Sequence, residues 1–407
     1  MTEEYKPRLR FFEQSPGQQH IQAADQYLYA NEPPRWRIGI IGTGTIGQEH
    51  MRVTRLLGRA SIGGIFDAQP HSMLVAMAND PRGEQPPPDQ WASLDEACNA
   101  DNVDAYFICT PNDTHFQVLQ RVMQTGKPIF VEKPMATTLA DAAAMYRAVS
   151  SYDAFVQIGL QYRYKAPYVE ARHEVLERRV LGDVRTVSVC EYRPPFLDKV
   201  DQWNKFTVHS GGTLVEKCCH YFDLMNLFAG ASATRVYASA GQALNFTQFE
   251  HTDRVSDIDD HAFVIVDYAN GVRANFALNM FSPTFFEELI LTGEGGRLTA
   301  TETFDFYQHE QAHSRVSIER PEPHASRAID VSYPKLIDQS GHHGATYFEH
   351  EAFYHSLEGR PAACATPLEG LWSVIVASAA QISALRGTAV DIEELLHDES
   401  LTEVLKP

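Results

Sequence analysis

From Trp36 onward the apolar positions fall into short blocks, each closed by a turn residue. Ile38, Ile40 and Ile41 form a β-branched run that stops at Gly42, the pattern of a buried parallel strand. Ile46, Val53, Leu56 and Leu57 then recur at helical spacing. A second apolar run, Ile62 to Phe66, ends at Asp67, and Ala105 to Cys109 and Ile129 to Val131 predict further strands. Phe116 to Met123, stopped by Gly126, and Leu139 to Val149 predict helices, while the proline-rich stretch Pro81 to Pro88 predicts a loop. Strand and helix alternating through short turns predict an α/β Rossmann domain with a doubly wound parallel sheet.

Beyond about residue 155 the pattern changes. Asp260 to Ala269 and Val272 to Asn279 alternate apolar and polar around Asn270-Gly271, which predicts a hairpin with a type I′ turn. Val184 to Cys190, Arg235 to Ala240 and Glu287 to Leu291 add strands, and segments 166–180, 213–229 and 346–358 predict the helices that cover one face. The expectation is a C-terminal α+β domain with a large, mostly antiparallel sheet. Residues 309–340 read as a polar, irregular excursion. The predicted division is an arm over 1–35, a nucleotide-binding domain over 36–157 and a substrate and oligomerisation domain over 158–407.

The chain of 407 residues has the 44% hydrophobic and 21% charged content of a globular protein, and two domains fit that length. Its net charge of −19 argues against nucleic acid or an anionic membrane as a partner. The six cysteines are too sparse for a disulfide scaffold and contain no Cys-x-x-Cys pair. With a charged start and no apolar stretch near the ~20 residues a membrane span needs, the expected setting is cytoplasmic.

Gly42-Thr43-Gly44-Thr45-Ile46-Gly47 sits between a strand and a helix as a G-x-G-x-x-G turn. The first glycine permits the turn, the second admits a pyrophosphate, and the third brings helix and strand close. The helix N-terminus at Thr45 and Ile46 then favours the phosphates. Asp67, 20 residues past Gly47, closes the second strand, where a carboxylate accepts from a ribose 2′-hydroxyl and repels a 2′-phosphate. Ala68-Gln69-Pro70 supplies no cation to reverse that preference, so NAD is the expected cofactor. Glu132-Lys133-Pro134 ends a strand, and Thr110-Pro111-Asn112-Asp113-Thr114-His115 follows another, both on the edge where such sheets bind ligands.

With these come Gly126 to Pro134, Gly159-Leu160-Gln161-Tyr162-Arg163-Tyr164, and Gly211-Gly212 followed by Glu216-Lys217-Cys218-Cys219-His220 and Asp223. In that order the motifs resemble the Gfo/Idh/MocA oxidoreductases (glucose–fructose oxidoreductase, inositol dehydrogenase and rhizopine-catabolism proteins) over Trp36 to Arg386. The resemblance implies hydride transfer between NAD and a secondary alcohol of a sugar or inositol-like cyclic polyol. It gives the chemistry to Lys133 and His220, with His220 as base and Lys133 donating to the same oxygen. Glu216 replaces the family's usual Asp four residues before the histidine. It is placed either to orient His220 or to pair with neighbouring Lys217. Cofactor contacts are expected from Gly42, Gly44, Thr45, Ile46, Gly47, Asp67, Thr110, Pro111, Asn112, His115, Glu132, Lys133, Gln161 and Arg163. Substrate contacts are expected from Lys133, Tyr162, Trp203, His220, Asp223 and His343. No metal is expected, since Cys218, Cys219 and His220 have no further ligand at the right spacing. A homodimer or homotetramer is the implied assembly. Two other readings carry the same nucleotide site: an NAD-dependent glycoside hydrolase acting by transient oxidation, and a non-catalytic dinucleotide sensor.

Overall fold

A computed structural model describes residues 34–81, 85–305, 312–398 and 401. The expected N-terminal arm therefore lies outside the described residues except for Pro34 and Arg35. The β-branched block at Trp36 becomes strand β1 (Trp36–Ile41), with Ile38, Ile40 and Ile41 fully buried. Beside it run β2 (Ala60–Phe66), β3 (Asp89–Gln90), β4 (Ala105–Ile108), β5 (Ile129–Glu132) and β6 (Val156–Gly159). They are all parallel and lie in the order β3-β2-β1-β4-β5-β6. The order reverses between β1 and β4, so the chain leaves these two strands toward opposite sides and opens a crevice at their carboxyl ends.

The second half builds a nine-stranded sheet. From edge to edge its strands are Arg327–Val331, His313–Glu319, Gly296–Phe304, Phe285–Gly293, Val184–Tyr192, Arg273–Asn279, His261–Tyr268, Ala233–Gly241 and Val390–Asp391. Every neighbouring pair is antiparallel except Val184–Tyr192 with Arg273–Asn279. Alternation puts Val187, Val264, Phe276, Leu289 and Leu298 on a buried face, covered by helices Ala166–Arg172, Cys219–Ala229 and Pro367–Arg386.

Four expectations are corrected. Residues 309–340 are not an irregular excursion: from residue 312 on they supply the last two strands at one end of the large sheet. Their pattern is faint because Arg327–Val331 is almost wholly exposed and needs no apolar face. The hairpin at Asn270-Gly271 forms, but only Gly271 takes a positive φ (+88°), so the turn is not type I′. Asn270 instead donates its amide to the carbonyl of Ala229 at 2.8 Å, tying the turn to a helix end. Segment 213–229 is two helices, Thr213–Glu216 and Cys219–Ala229, with Lys217 and Cys218 between them. Finally, helix Pro367–Arg386 is long and apolar enough to cross a bilayer by length and composition, where none was expected. It is 67% buried inside the protein, as a core helix is.

Candidate active site

The crevice at the carboxyl ends of β1, β4 and β5 widens into a cleft of about 610 Å³ between the two sheets' domains. Gly42, Gly44, Thr45 and Ile46 line one end. Gly42 has φ +93°, and a side chain there would strike the backbone of Cys109. A β-carbon on Gly47 would lie 2.0 Å from the carbonyl oxygen of Gly42, so Gly47 sets the helix-to-strand approach and does not line the cleft. At Gly44 nothing lies within 4 Å of a β-carbon position, which leaves an open cradle. The helix that follows, Thr45–Leu57, has no side-chain cap and no acid in its first turn, so its free N–H groups suit an anion. Asp67 accepts from the backbone N–H of Thr43 at 2.7 Å and of Gln69 at 2.8 Å, fixing a carboxylate on the cleft wall. These residues fit a dinucleotide.

Thr110, Pro111 and Asn112 follow β4 and line the middle of the cleft. His115 does not: it is fully buried, with ring nitrogens 2.9 Å from the carbonyl of Pro134 and 3.0 Å from that of Thr110. It braces the two loops that follow β4 and β5, because the first turn of its helix directs the ring back onto the strand ends.

Lys133 lines the far end, just past β5. Its ammonium donates to the backbone carbonyl of Glu216 at 2.8 Å and lies 3.6 Å from the Glu216 carboxylate. Burial alone would depress the Lys133 pKa, but Glu216, Cys219 and Glu132 outweigh it and raise the value, opposite to the lowering expected from burial. Burial pushes the Glu216 carboxyl up, yet Lys133, Lys199 and Lys217 bring it below the ordinary value. Glu216 therefore serves the lysine of the other domain; no hydrogen bond joins it to His220, and Lys217 pairs instead with Glu191 at 3.1 Å. The turn at Lys217 and Cys218 breaks the one-face geometry that an unbroken helix would have given Glu216 and His220.

Glu132 is buried, 2.8 Å from Nε2 of His50, and accepts the Lys133 backbone N–H at 3.0 Å. His220 is 2% exposed, stacks on Tyr162 at 4.0 Å between centroids, and has no partner at Nδ1. Burial first, then the charges of Lys133 and Lys217, place its pKa well below 6.5, so the ring is neutral at pH 7. Lys133 is the strongest charge acting on it, but the ring does not itself line the cleft.

Other expected contacts fall elsewhere. Gln161 and Trp203 line the cleft. Tyr162 is 3% exposed, and its hydroxyl is engaged by Lys217, which makes it backing for His220 and not a wall of the cleft. Arg163 grips Asp223 through two hydrogen bonds and Glu369 at 2.8 Å; with Asp223 it lines a separate cavity of about 230 Å³. The strong mutual pairing turns both away from cofactor and substrate. His343 packs edge-on against Phe304, while its neighbour His342 faces the cleft and holds Glu49 at 2.6 Å. Left-handed backbone at both histidines (φ +41° and +53°) exchanges which ring points inward. Sequence reasoning missed Lys199, Asp201, His209 and His251, which line the cleft from a loop, two helical turns and a two-residue strand, all too short for an apolar period. Among the described residues no group of three His, Cys, Asp or Glu side chains could hold a metal ion.

Such a cleft, with an anion-ready glycine turn at one end and a lysine at the other, defines a Rossmann-fold oxidoreductase. Residues 36–160 match the NAD-binding Rossmann fold of the Gfo/Idh/MocA oxidoreductase family, and residues 173–392 match that family's C-terminal alpha/beta domain. The chain belongs to this family. Among its relatives, the uncharacterised oxidoreductase YrbE of Bacillus subtilis (strain 168) is 27% identical over 238 residues, 58% of this chain and 64% of YrbE. Inositol 2-dehydrogenase of Rhizobium meliloti (strain 1021) is 28% identical over 240 residues, 58% of this chain and 67% of the enzyme. The chain thus spans about two thirds of these relatives' length. A levoglucosan dehydrogenase solved with NADH and levoglucosan superposes with a TM-score of 0.72 at 17% identity, covering 88% of this chain and 99% of that one. That likeness is one of fold.

Proposed function

We propose that the protein is an NAD-dependent dehydrogenase that oxidises a secondary alcohol of a sugar or an inositol-like polyol. The observation that carries this reading is the Lys133 ammonium, held by Glu216 on the wall of the cleft whose other end is the dinucleotide cradle. When bound, NAD supplies the hydride acceptor. Gly44, the first turn of helix Thr45–Leu57 and Asp67 would hold the nucleotide, with Thr110 to Asn112 along its flank. Lys133 donates a hydrogen bond to the carbinol oxygen and stabilises the charge that develops there. His220, neutral but set back from the cleft lining, is the group to which this reading gives the hydroxyl proton, which requires the alcohol oxygen to reach its ring. Glu216 positions the ammonium, and Tyr162 sets the plane of the imidazole. The outer face of the large sheet exposes Tyr237, Phe263 and Ile265, the patch that a homodimer or homotetramer would cover.

A panel of inositols, aldoses and anhydrosugars, followed by nicotinamide reduction, tests the reading; no reduction with any member overturns it. Efficiency with NAD is expected to exceed that with NADP, and Asp67→Ser is expected to narrow the gap by about tenfold or more. An unchanged ratio in that variant would remove Asp67 from the nucleotide site.

The pH profile carries a sign. A base acts only when unprotonated, and the depressed His220 pKa keeps it so at every pH above that value. The kcat/KM profile is therefore expected to stay level from pH 8 down through 6.5 and to fall only in more acid solution. A limb centred at or above 6.5 that disappears in His220→Ala would contradict the described environment.

A further inference from the structure

Resting on the dehydrogenase reading, we infer that the substrate carries a carboxylate and that Lys199 recognises it. Lys199 lies on the loop that leads from strand Val184–Tyr192 into the cleft, where Lys199, Val200, Asp201 and Trp203 form part of the wall. The loop is a built structure. Lys205 is buried and spends its charge on Asp198 and Gln202, and Asn204 donates to the carbonyl of Leu197 at 2.9 Å. Asp201 and Gln202 are consecutive non-glycine residues in the left-handed region, at φ +52° and +55°. Such backbone is unfavourable and persists where the surroundings hold it, commonly at binding sites.

Among the described residues one ammonium is left over. The other buried or half-buried lysines among the described residues each have a partner: Lys127 the carbonyl of Ala100, Lys133 Glu216, Lys165 Glu287 and Glu302, Lys205 Asp198, and Lys217 Glu191. Among the described residues Lys199 has no hydrogen bond or ion pair, only the Trp203 ring with its centroid 5.8 Å away. It shares the cleft wall with Lys133, Glu216 and Trp203, and after burial the charges that act on it are Glu216, Lys133, Glu132 and Glu49. None of the three acids is available to it, since Glu216 holds Lys133, Glu132 holds His50 and Glu49 holds His342. A half-buried ammonium without a counter-charge is costly, and burial, the largest influence, depresses its pKa. A bound anion reverses that cost. An indole beside an ammonium offers a flat face for the C–H side of a sugar ring and a charge for its acid group. The chemistry to be recognised is thus an anionic oxygen, here assigned to a sugar acid and not to a phosphate of the cofactor.

The test pairs neutral and acidic probes, glucose with glucuronate and galactose with galacturonate, assayed with NAD on the full chain and on Lys199→Met and Lys199→Arg. The wild type is expected to favour the acid of each pair by about tenfold or more in kcat/KM. Lys199→Met should erase that preference through KM for the acid, and Lys199→Arg should keep most of it. Equal use of both probes by the wild type, or a rise in KM for NAD alone in Lys199→Met, would overturn the inference; the latter would hand the lysine to a cofactor phosphate. Titration of NADH-loaded protein with each uronate separates the two readings. Binding that Lys199→Met abolishes, without turnover of any probe, supports carboxylate recognition while the dehydrogenase reading fails; no uronate binding overturns the recognition itself.

Discussion

Lys133→Ala is expected to lower turnover by roughly 10²- to 10³-fold while NAD still binds with near-normal affinity. The ammonium is fixed on the cleft wall by both a carbonyl, at 2.8 Å, and a carboxylate, at 3.6 Å. Its replacement removes a donor aimed where negative charge grows on the reacting oxygen, whereas the nucleotide is held mainly from the glycine turn and Asp67 at the other end. The substitution also strands Glu216, whose carboxyl is kept ionised chiefly by Lys133 against burial. Lys133→Met combined with Glu216→Gln removes both charges and isolates the loss of the donor. Turnover numbers and a calorimetric NAD titration of both variants decide the matter. Turnover within a few-fold of wild type in both would take Lys133 out of the chemistry.

The second large effect concerns folding. Lys165 is 1% exposed and sits between the carboxylates of Glu287 and Glu302, at 2.6 Å from each. Lys165→Met leaves two buried carboxylates facing each other, and is expected to cost about 3–5 kcal/mol. Denaturant unfolding measures it, and a loss below about 1 kcal/mol would mean the acids find other partners. The pH sign follows from Glu287. Burial pushes its carboxyl up, but Lys165, Lys217 and the hydrogen bond from Tyr221 win and hold it below 4.5. In the wild type that stabilisation is complete above the ordinary carboxylate pKa and is lost as the pH falls through the depressed value. In the variant the carboxyl is raised, so the penalty is greatest at neutral pH and shrinks in acid. Lys165 also lies 4.3 Å from the centre of the Tyr162 ring, on which His220 stacks, so activity should fall with stability.

The nucleotide half was legible because its signals are local. A parallel strand buried on both faces must be an apolar run, as Ile38 to Ile41 is, and the turn that follows must be glycine where a side chain would meet backbone, as at Gly42 and Gly47. Lys133 was legible for the same reason, being the residue next after a buried strand. The strands at His313–Glu319 and Arg327–Val331 were not, since the first has only Val316 and Ile318 as apolar inward positions and the second, at the sheet edge, is almost wholly exposed.

Partner choice was the part that stayed hidden. Glu216 was expected to serve His220 or Lys217, its neighbours in sequence, and the fold gave it Lys133, 83 positions away. Arg163 and Asp223 were expected to meet ligands, and they satisfy each other across 60 positions. Which of His342 and His343 faces the cleft depended on left-handed backbone that neither residue type requires. The sequence by itself determined the elements and the kinds of chemical group at their ends, because periodicity and turn geometry act over a few residues. Only the tertiary structure decided which charge neutralises which, and so left Lys199 without a counter-charge among the described residues, because Coulomb and burial energies depend on distances that chain order does not set.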